Sequence, residues 1–249
     1  MARRPTLGLL LIAIVWGGTF PVVKDLVETV SPHSVVAARF TIAWVLLGVA
    51  ALWRRRAWQP GLLGAGVILG VVLWGGYFTQ TFGLQFTSAS KAGFITALNV
   101  VFVAVMAALL SRRPTPKLTW LGVVIAAVGL AFLTIDWSEG LHLEPGDAII
   151  LLCAVLFAAH IVLVDRLAPT YDPVLLTWVQ MGVVAAVATA AAFVFDGGLI
   201  GVERPENWWP LSYLAVLATA GAVLLQVHLQ RFVDPARVGL IFALEPVFA

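Results

Sequence analysis

One carboxylate, Glu245, lies inside the apolar run Val238 to Ala249 and directly precedes Pro246, whose ring removes a backbone donor. An acid so placed could bind a cation or carry a proton; the alternative is a structural carboxylate bonded to neighbouring helices or to freed backbone. His160, midway along the apolar run Ala148 to Val164, titrates near neutral pH and is the second candidate for proton coupling. Its plainer reading is a hydrogen bond across a packed interface. Gln80 and Gln226 can each donate and accept, which suits an uncharged or zwitterionic solute, or else glues helices together. Thr96 and Asn99 join them if their face turns inward, and Thr19 is aligned with His160 in the repeat described below. Trp16, Phe20, Trp74 and Tyr77 neighbour Gly17, Gly18, Gly75 and Gly76, so aromatic walls beside close-packing positions could shape an organic-solute pocket. The competing reading is an interfacial belt, the role expected of Trp53, Trp58, Trp208 and Trp209.

Charged residues at the ends of apolar runs form a second set. Lys91 and Arg237 each stand just before such a run, where a cation opposes the partial positive charge of a helix N-terminus. A gating role would pair Lys91 with Asp25 and Glu28 on one side of a membrane and Arg237 with Asp165 and Asp172 on the other; the alternative is snorkelling to lipid headgroups. Arg39 is expected to snorkel to the outer interface.

These residues carry weight because of the elements that must hold them. Of 249 residues, 61% are hydrophobic and 11% charged, with a mean hydropathy of +0.99, whereas soluble domains run near one-quarter charged. A bilayer core about 30 Å thick takes roughly 20 apolar residues per helix. Uncharged runs extend over Leu7 to Val23, Gly61 to Ser90, Ala92 to Leu110, Leu118 to Ile135, Ala148 to Val164, Val174 to Phe195 and Trp208 to Gln230. Ser34 to Trp53 contains only Arg39, and Val238 to Ala249 only Glu245, as charges. The chain is therefore expected to be all-α and integral to a membrane. Cys153 is the single cysteine, so an intrachain disulfide is excluded, and a net charge of +2 offers nucleic acid nothing. A membrane-embedded enzyme is one alternative to a transporter and would need two histidines with an acid, a serine with a base or an aspartate-rich cluster at one depth; none falls so, and no catalytic set, metal or cofactor is expected. A purely structural membrane subunit, the other alternative, would not require polar residues repeated in both halves.

With the N-terminus inside, Arg3, Arg4, Arg54, Arg55, Arg56, Arg112, Arg113, Lys117, Arg166, Arg231 and Arg237 all fall on the cytoplasmic side. Only Lys24, Lys91 and Arg204 fall outside, with the acids Asp136, Glu139, Glu144 and Asp147. The positive-inside rule selects that orientation. Sliding the chain by 141 residues lays Trp16 on Phe157, Phe20 on Ile161, Leu26 on Leu167 and Pro32 on Pro173. A slide of 146 lays Gln80 on Gln226, Phe86 on Phe232, Lys91 on Arg237, Gly93 on Gly239 and Val101-Phe102 on Val247-Phe248. An offset of five helices inverts the second copy, giving two inverted repeats, residues 1–135 and 146–249, of a ten-helix plan. On that plan the ninth helix is incomplete and the tenth is absent.

The segments Val15-Trp16-Gly17-Gly18-Thr19-Phe20, Leu84 to Ala89, Phe232 to Arg237 and above all Phe242-Ala243-Leu244-Glu245-Pro246-Val247-Phe248 resemble the EamA-domain carriers of the drug/metabolite transporter superfamily. The resemblance implies a carrier, frequently an exporter, of amino acids, metabolites, nucleosides or drugs, working by alternating access in the cytoplasmic membrane. Its expected partners are a small-molecule substrate, the lipid bilayer and a coupling proton. A homodimer stays open, because Gly66-Val67-Ile68-Leu69-Gly70 permits close helix packing. Asn99-Val100 replaces the proline that the fourth helix of many such carriers holds, so no break is expected in that helix.

Overall fold

The computed structural model describes residues 3–110, 117–134 and 144–249. Arg112, Arg113, Asp136 and Glu139, on which part of the topology reading rests, lie outside the described residues. Every regular element among those described is helical, and seven helices are long and apolar enough to cross a membrane.

Four helix starts show why the sequence breaks where it does, because each combines a capping oxygen with a proline at the first turn, where its missing N–H costs nothing. Ser31 Oγ accepts from Ser34 N ahead of α3 (Pro32–Arg54). A reciprocal Glu144/Asp147 capping box opens α8 (Pro145–Leu167). Asp172 accepts from Val174 N and Leu175 N at α9 (Pro173–Ala191), and Asp234 from Ala236 N at α12 (Pro235–Phe242). The remaining helices are α1 (Arg3–Gly17), α2 (Thr19–Leu26), α4 (Leu62–Gly83), α5 (Ala89–Ala97), α6 (Asn99–Leu110), α7 (Lys117–Thr134), α10 (Trp208–Ala215) and α11 (Ala222–Gln230). α1 with α2, α5 with α6, and α10 with α11 run on as single spans.

The bundle is built around α3 packed on α9 and α4 packed on both α8 and α9. α1 lies on α11 and α12, and α6 on α8 and α12. Gly66 and Gly70 explain the closeness of α4 and α9: a Cβ at Gly66 would stand 2.4 Å from Val179 Cγ1, and one at Gly70 would stand 2.9 Å from Gln180 O. The small-residue face that the sequence left open for a homodimer is thus used within the chain. Large apolar side chains cover the outside, among them Leu52 at 68% and Leu109 at 78% exposed, which is what a helix bundle solvated by lipid requires. Trp53, Trp58, Trp208 and Trp209 are exposed near helix ends.

Two departures from the sequence reading concern buried groups. Arg39 does not reach an interface; it is 1% exposed. Its Nε donates to Thr219 Oγ1 at 2.9 Å and its guanidinium lies 4.5 Å from the Tyr77 ring centroid. Thr219 belongs to a π-helical turn, Val216–Gly221, and the hydroxyl that receives Arg39 donates in turn to Leu214 O. The second departure is a break in the fourth span: α5 ends at Ala97 and α6 begins at Asn99 without any proline. A tighter turn, Leu98 N to Ile95 O at 3.1 Å and Val101 N to Leu98 O at 3.0 Å, replaces the α-helical pattern there. α12 gives way in the same fashion at Leu244, after which Glu245–Val247 forms a single 3-10 turn.

Candidate functional site

A narrow cavity lies where α1, α2, α4, α6, α8, α11 and α12 converge. Nine of the eleven residues singled out from sequence line it. Trp16, Thr19 and Phe20 come from the junction of α1 and α2, Tyr77 and Gln80 from α4, Asn99 from the start of α6, His160 from α8, Gln226 from α11, and Glu245 from the turn after α12. Trp74 and Thr96 do not line it: Trp74 stacks on Phe78 with centroids 5.7 Å apart, and Thr96 is 1% exposed among packed helices.

Several lining groups are already engaged. Trp16 Nε1 donates to Ala218 O at 2.8 Å, taking up a carbonyl in the π-helical turn, and its ring meets Phe242 edge-on at 5.0 Å. Thr19 Oγ1 turns back to Trp16 O. His160 Nε2 lies 3.0 Å from Gln180 Oε1 on α9, so the interhelical bond anticipated for this histidine exists on the cavity wall. Gln226 Nε2 donates to Gln230 Oε1 at 3.1 Å, and Gln230 donates onward to Ile161 O.

Four polar lining side chains make no hydrogen bond among the described residues: the Tyr77 hydroxyl, the Gln80 amide, Asn99 and Glu245. Asn99 is 3% exposed, and its Oδ1 has no hydrogen-bond partner. Glu245 is 6% exposed, and among the described residues its carboxylate takes part in no ion pair or side-chain hydrogen bond. Asn99 and Glu245 are each the first residue after a helix break, and the two positions differ by 146 residues (245 − 99). Leaving a buried polar group without a partner costs about 1–3 kcal/mol, and more for a charge, so these oxygens are the reactive part of the cavity.

The sequence reading missed Leu73, Phe157, Ile161 and Phe242 as lining residues. The signal for two of them was present: Phe157 and Ile161 are the partners of Trp16 and Phe20 at offset 141, as His160 is of Thr19. With Gln80/Gln226 and Asn99/Glu245 at offset 146, ten of the thirteen lining residues form five such pairs.

The acids beside Lys91 are not those expected. Lys91 Nζ lies 2.8 Å from Asp147 Oδ2 and 3.7 Å from Glu144 Oε2, while Asp25 and Glu28 are exposed around the end of α2 and form no ion pair among the described residues. Asp147 is the third residue of α8, and its capping role holds it at the start of α5, where Thr87 Oγ1 also donates to it at 2.8 Å. At the other end Asp172 pairs with Arg54 at 3.5 Å, Asp165 is half-buried near the end of α8, and Arg237 is exposed in the first turn of α12 without an ion pair among the described residues.

Residues 4–135 and 144–249 match the EamA-like transporter family. The chain is 32% identical over 244 residues, 98% of its own length and 75% of the relative's, to a protein of Archaeoglobus fulgidus named an uncharacterized transporter. It is 28% identical to the uncharacterized transporter YcxC of Bacillus subtilis, covering 84% of this chain and 71% of that one. It is 25% identical to the uncharacterized inner membrane transporter YedA of Escherichia coli, covering 95% and 77% respectively. A solved crystal structure superposes with a TM-score of 0.77 at 19% identity over 100% of this chain and 86% of the other, which is a likeness of fold.

Proposed function

Because the chain belongs to the EamA-like transporter family, we propose that it is a secondary transporter moving a small organic metabolite or drug across the cytoplasmic membrane, with export as the expected direction. It works by alternating access between two inverted repeats of a ten-helix plan. The observation that carries this reading is the pairing of the cavity wall: Trp16/Phe157, Thr19/His160, Phe20/Ile161, Gln80/Gln226 and Asn99/Glu245 stand on equivalent elements of the two halves. A site shared between repeats is where a carrier of this design holds its solute. Packing supports the same symmetry. A Cβ added at Gly93 would meet Ala249 Cβ at 3.3 Å and one at Gly239 would meet Val103 Cβ at 3.4 Å, and both Gly239 and Ala249 lie 146 residues beyond Gly93 and Val103. The contact is made twice with the roles of the halves exchanged.

In this reading the N-terminus is cytoplasmic, since Arg54, Arg55, Arg56, Lys117, Arg166, Arg231 and Arg237 then share the inner side. Glu245 is the coupling group, because an unpaired carboxylate at membrane depth must be matched by a proton or another cation. His160, bonded to Gln180, is a secondary proton site. The outer end closes through Lys91 with Asp147 and Glu144. At the inner end the counterpart of Asp147 at offset 141 is Thr6 and not an acid, so closure there falls to Asp165, Asp172 and Arg237.

Reconstitution into proteoliposomes with an imposed proton gradient, screened over amino acids, nucleosides and organic cations, tests the function. Saturable, gradient-dependent flux with trans-stimulation is expected. Flux no greater than in protein-free vesicles for every solute would overturn the carrier assignment.

A further inference from the structure

The cavity is chemically one-sided. Its lining contains a carboxylate, Glu245, and an unpartnered amide oxygen, Asn99 Oδ1, but neither Lys nor Arg. Arg39 is not a lining residue; its guanidinium lies over the lining residue Tyr77 and its Nε donates to Thr219, while Nη2 has no hydrogen-bond partner. His160 directs its Nε2 at Gln180. The break at Leu98 and the end of α12 at Phe242 bring the Asn99 and Glu245 oxygens to this lining. Around these acceptors stand the aromatic rings of Trp16, Phe20, Phe157 and Phe242, whose faces attract cations.

We propose that the cavity takes an organic monocation, an ammonium group on an apolar or aromatic body: the ammonium donates to the Glu245 carboxylate and Asn99 Oδ1, and the rings enclose the body. This substrate class rests on the carrier reading given above. The free donors of the lining, the Tyr77 hydroxyl and the Gln80 amide, are neutral, and a carboxylate or phosphate would meet Glu245 with like charge at low dielectric. A neutral solute of the same shape would leave Glu245 uncompensated.

Calorimetric titration of the purified protein in nanodiscs with phenethylamine, 2-phenylethanol and phenylacetate, which share a body and differ in charge, tests the site. Phenethylamine is expected to bind about tenfold tighter than 2-phenylethanol, the margin between charged and neutral hydrogen bonds, and phenylacetate weakest. Glu245→Gln should abolish that preference. Asn99→Asp, which adds an acid at the paired position, should raise phenethylamine affinity by a similar factor, a gain that misfolding cannot produce. Phenylacetate binding as tightly as phenethylamine, no binding of phenethylamine, or a fall in its affinity in Asn99→Asp would each overturn the proposal. Flux measured alongside separates the two readings. Amine binding without amine flux would support the site and remove the carrier, while flux of anions without amine binding would keep the carrier and remove the site.

Discussion

Replacing Asp147 by alanine removes the residue on which the first turns of α5 and α8 converge. Asp147 is 5% exposed and accepts from Thr87 Oγ1 at 2.8 Å, Lys91 Nζ at 2.8 Å and Glu144 N at 2.9 Å. Bonds to a charged group contribute about 1.5–3 kcal/mol each, so simple addition gives roughly 4–9 kcal/mol. That sum overstates the loss, because the Lys91 side chain is 20% exposed and regains water, and the Glu144 carboxylate remains beside it at 3.7 Å. Removal of one partner from a buried pair sets a better scale, about 3 kcal/mol at its lower end. If that energy stabilises only the state in which these ends meet, its loss shifts the closed-to-open ratio roughly 100-fold. The assay is modification of Gln80→Cys by an impermeant thiol reagent, in a Cys153→Ala background that removes the single native thiol. Asp147→Ala should accelerate labelling from the outside by at least tenfold, Lys91→Met should do nearly as much, and the double variant should add little. A lowered melting temperature with an unchanged labelling rate would show that the cluster only caps helices and does not govern access.

Three further outcomes follow from the packing and the cavity. Glu245→Gln should abolish proton-driven accumulation while leaving solute exchange measurable, because the amide keeps the shape and cannot release a proton; undiminished accumulation would remove the coupling role. Gly66→Ala should cost about 1–3 kcal/mol by thermal denaturation in detergent, since its Cβ would meet Val179 at 2.4 Å, and Val179→Ala in the same chain should restore most of it. Arg39→Met should hold stability to within about 2 kcal/mol because lost bonds are offset by lost desolvation, whereas Arg39→Lys keeps the buried charge, loses the Nε donor to Thr219 and should be the more damaging. The reverse order in the melting curves would refute that account.

Periodicity and polarity made much of the fold legible, because a residue such as Gln226 is conspicuous in an apolar helix and its counterpart Gln80 marks the repeat. The cavity residues were found for the same reason: a polar group at membrane depth has few places to be. What polarity cannot reveal is apolar lining, and Phe157 and Ile161 escaped notice although the repeat pointed at them. Arg39 was misread because its resting place depends on a π-helical turn in a distant helix and on the Tyr77 ring, neither of which has a local signature. The break at Leu98 has no proline to announce it in the sequence. A shift to tighter turns breaks the helix as well.

That break has a consequence for folding cooperativity. α5 has 9 residues and α12 has 8, whereas isolated helices shorter than about 12–15 residues are marginal even with good sequences. Each is held by its neighbours rather than by its own ladder, so the segments carrying Asn99 and Glu245 belong to the least cooperative part of the bundle. Local opening there exchanges one or two hydrogen bonds instead of melting a span. Asn99 and Glu245 therefore sit on joints that bend at small cost, and amide exchange around residues 96–99 and 243–245 should outpace that of α3 and α9 by orders of magnitude.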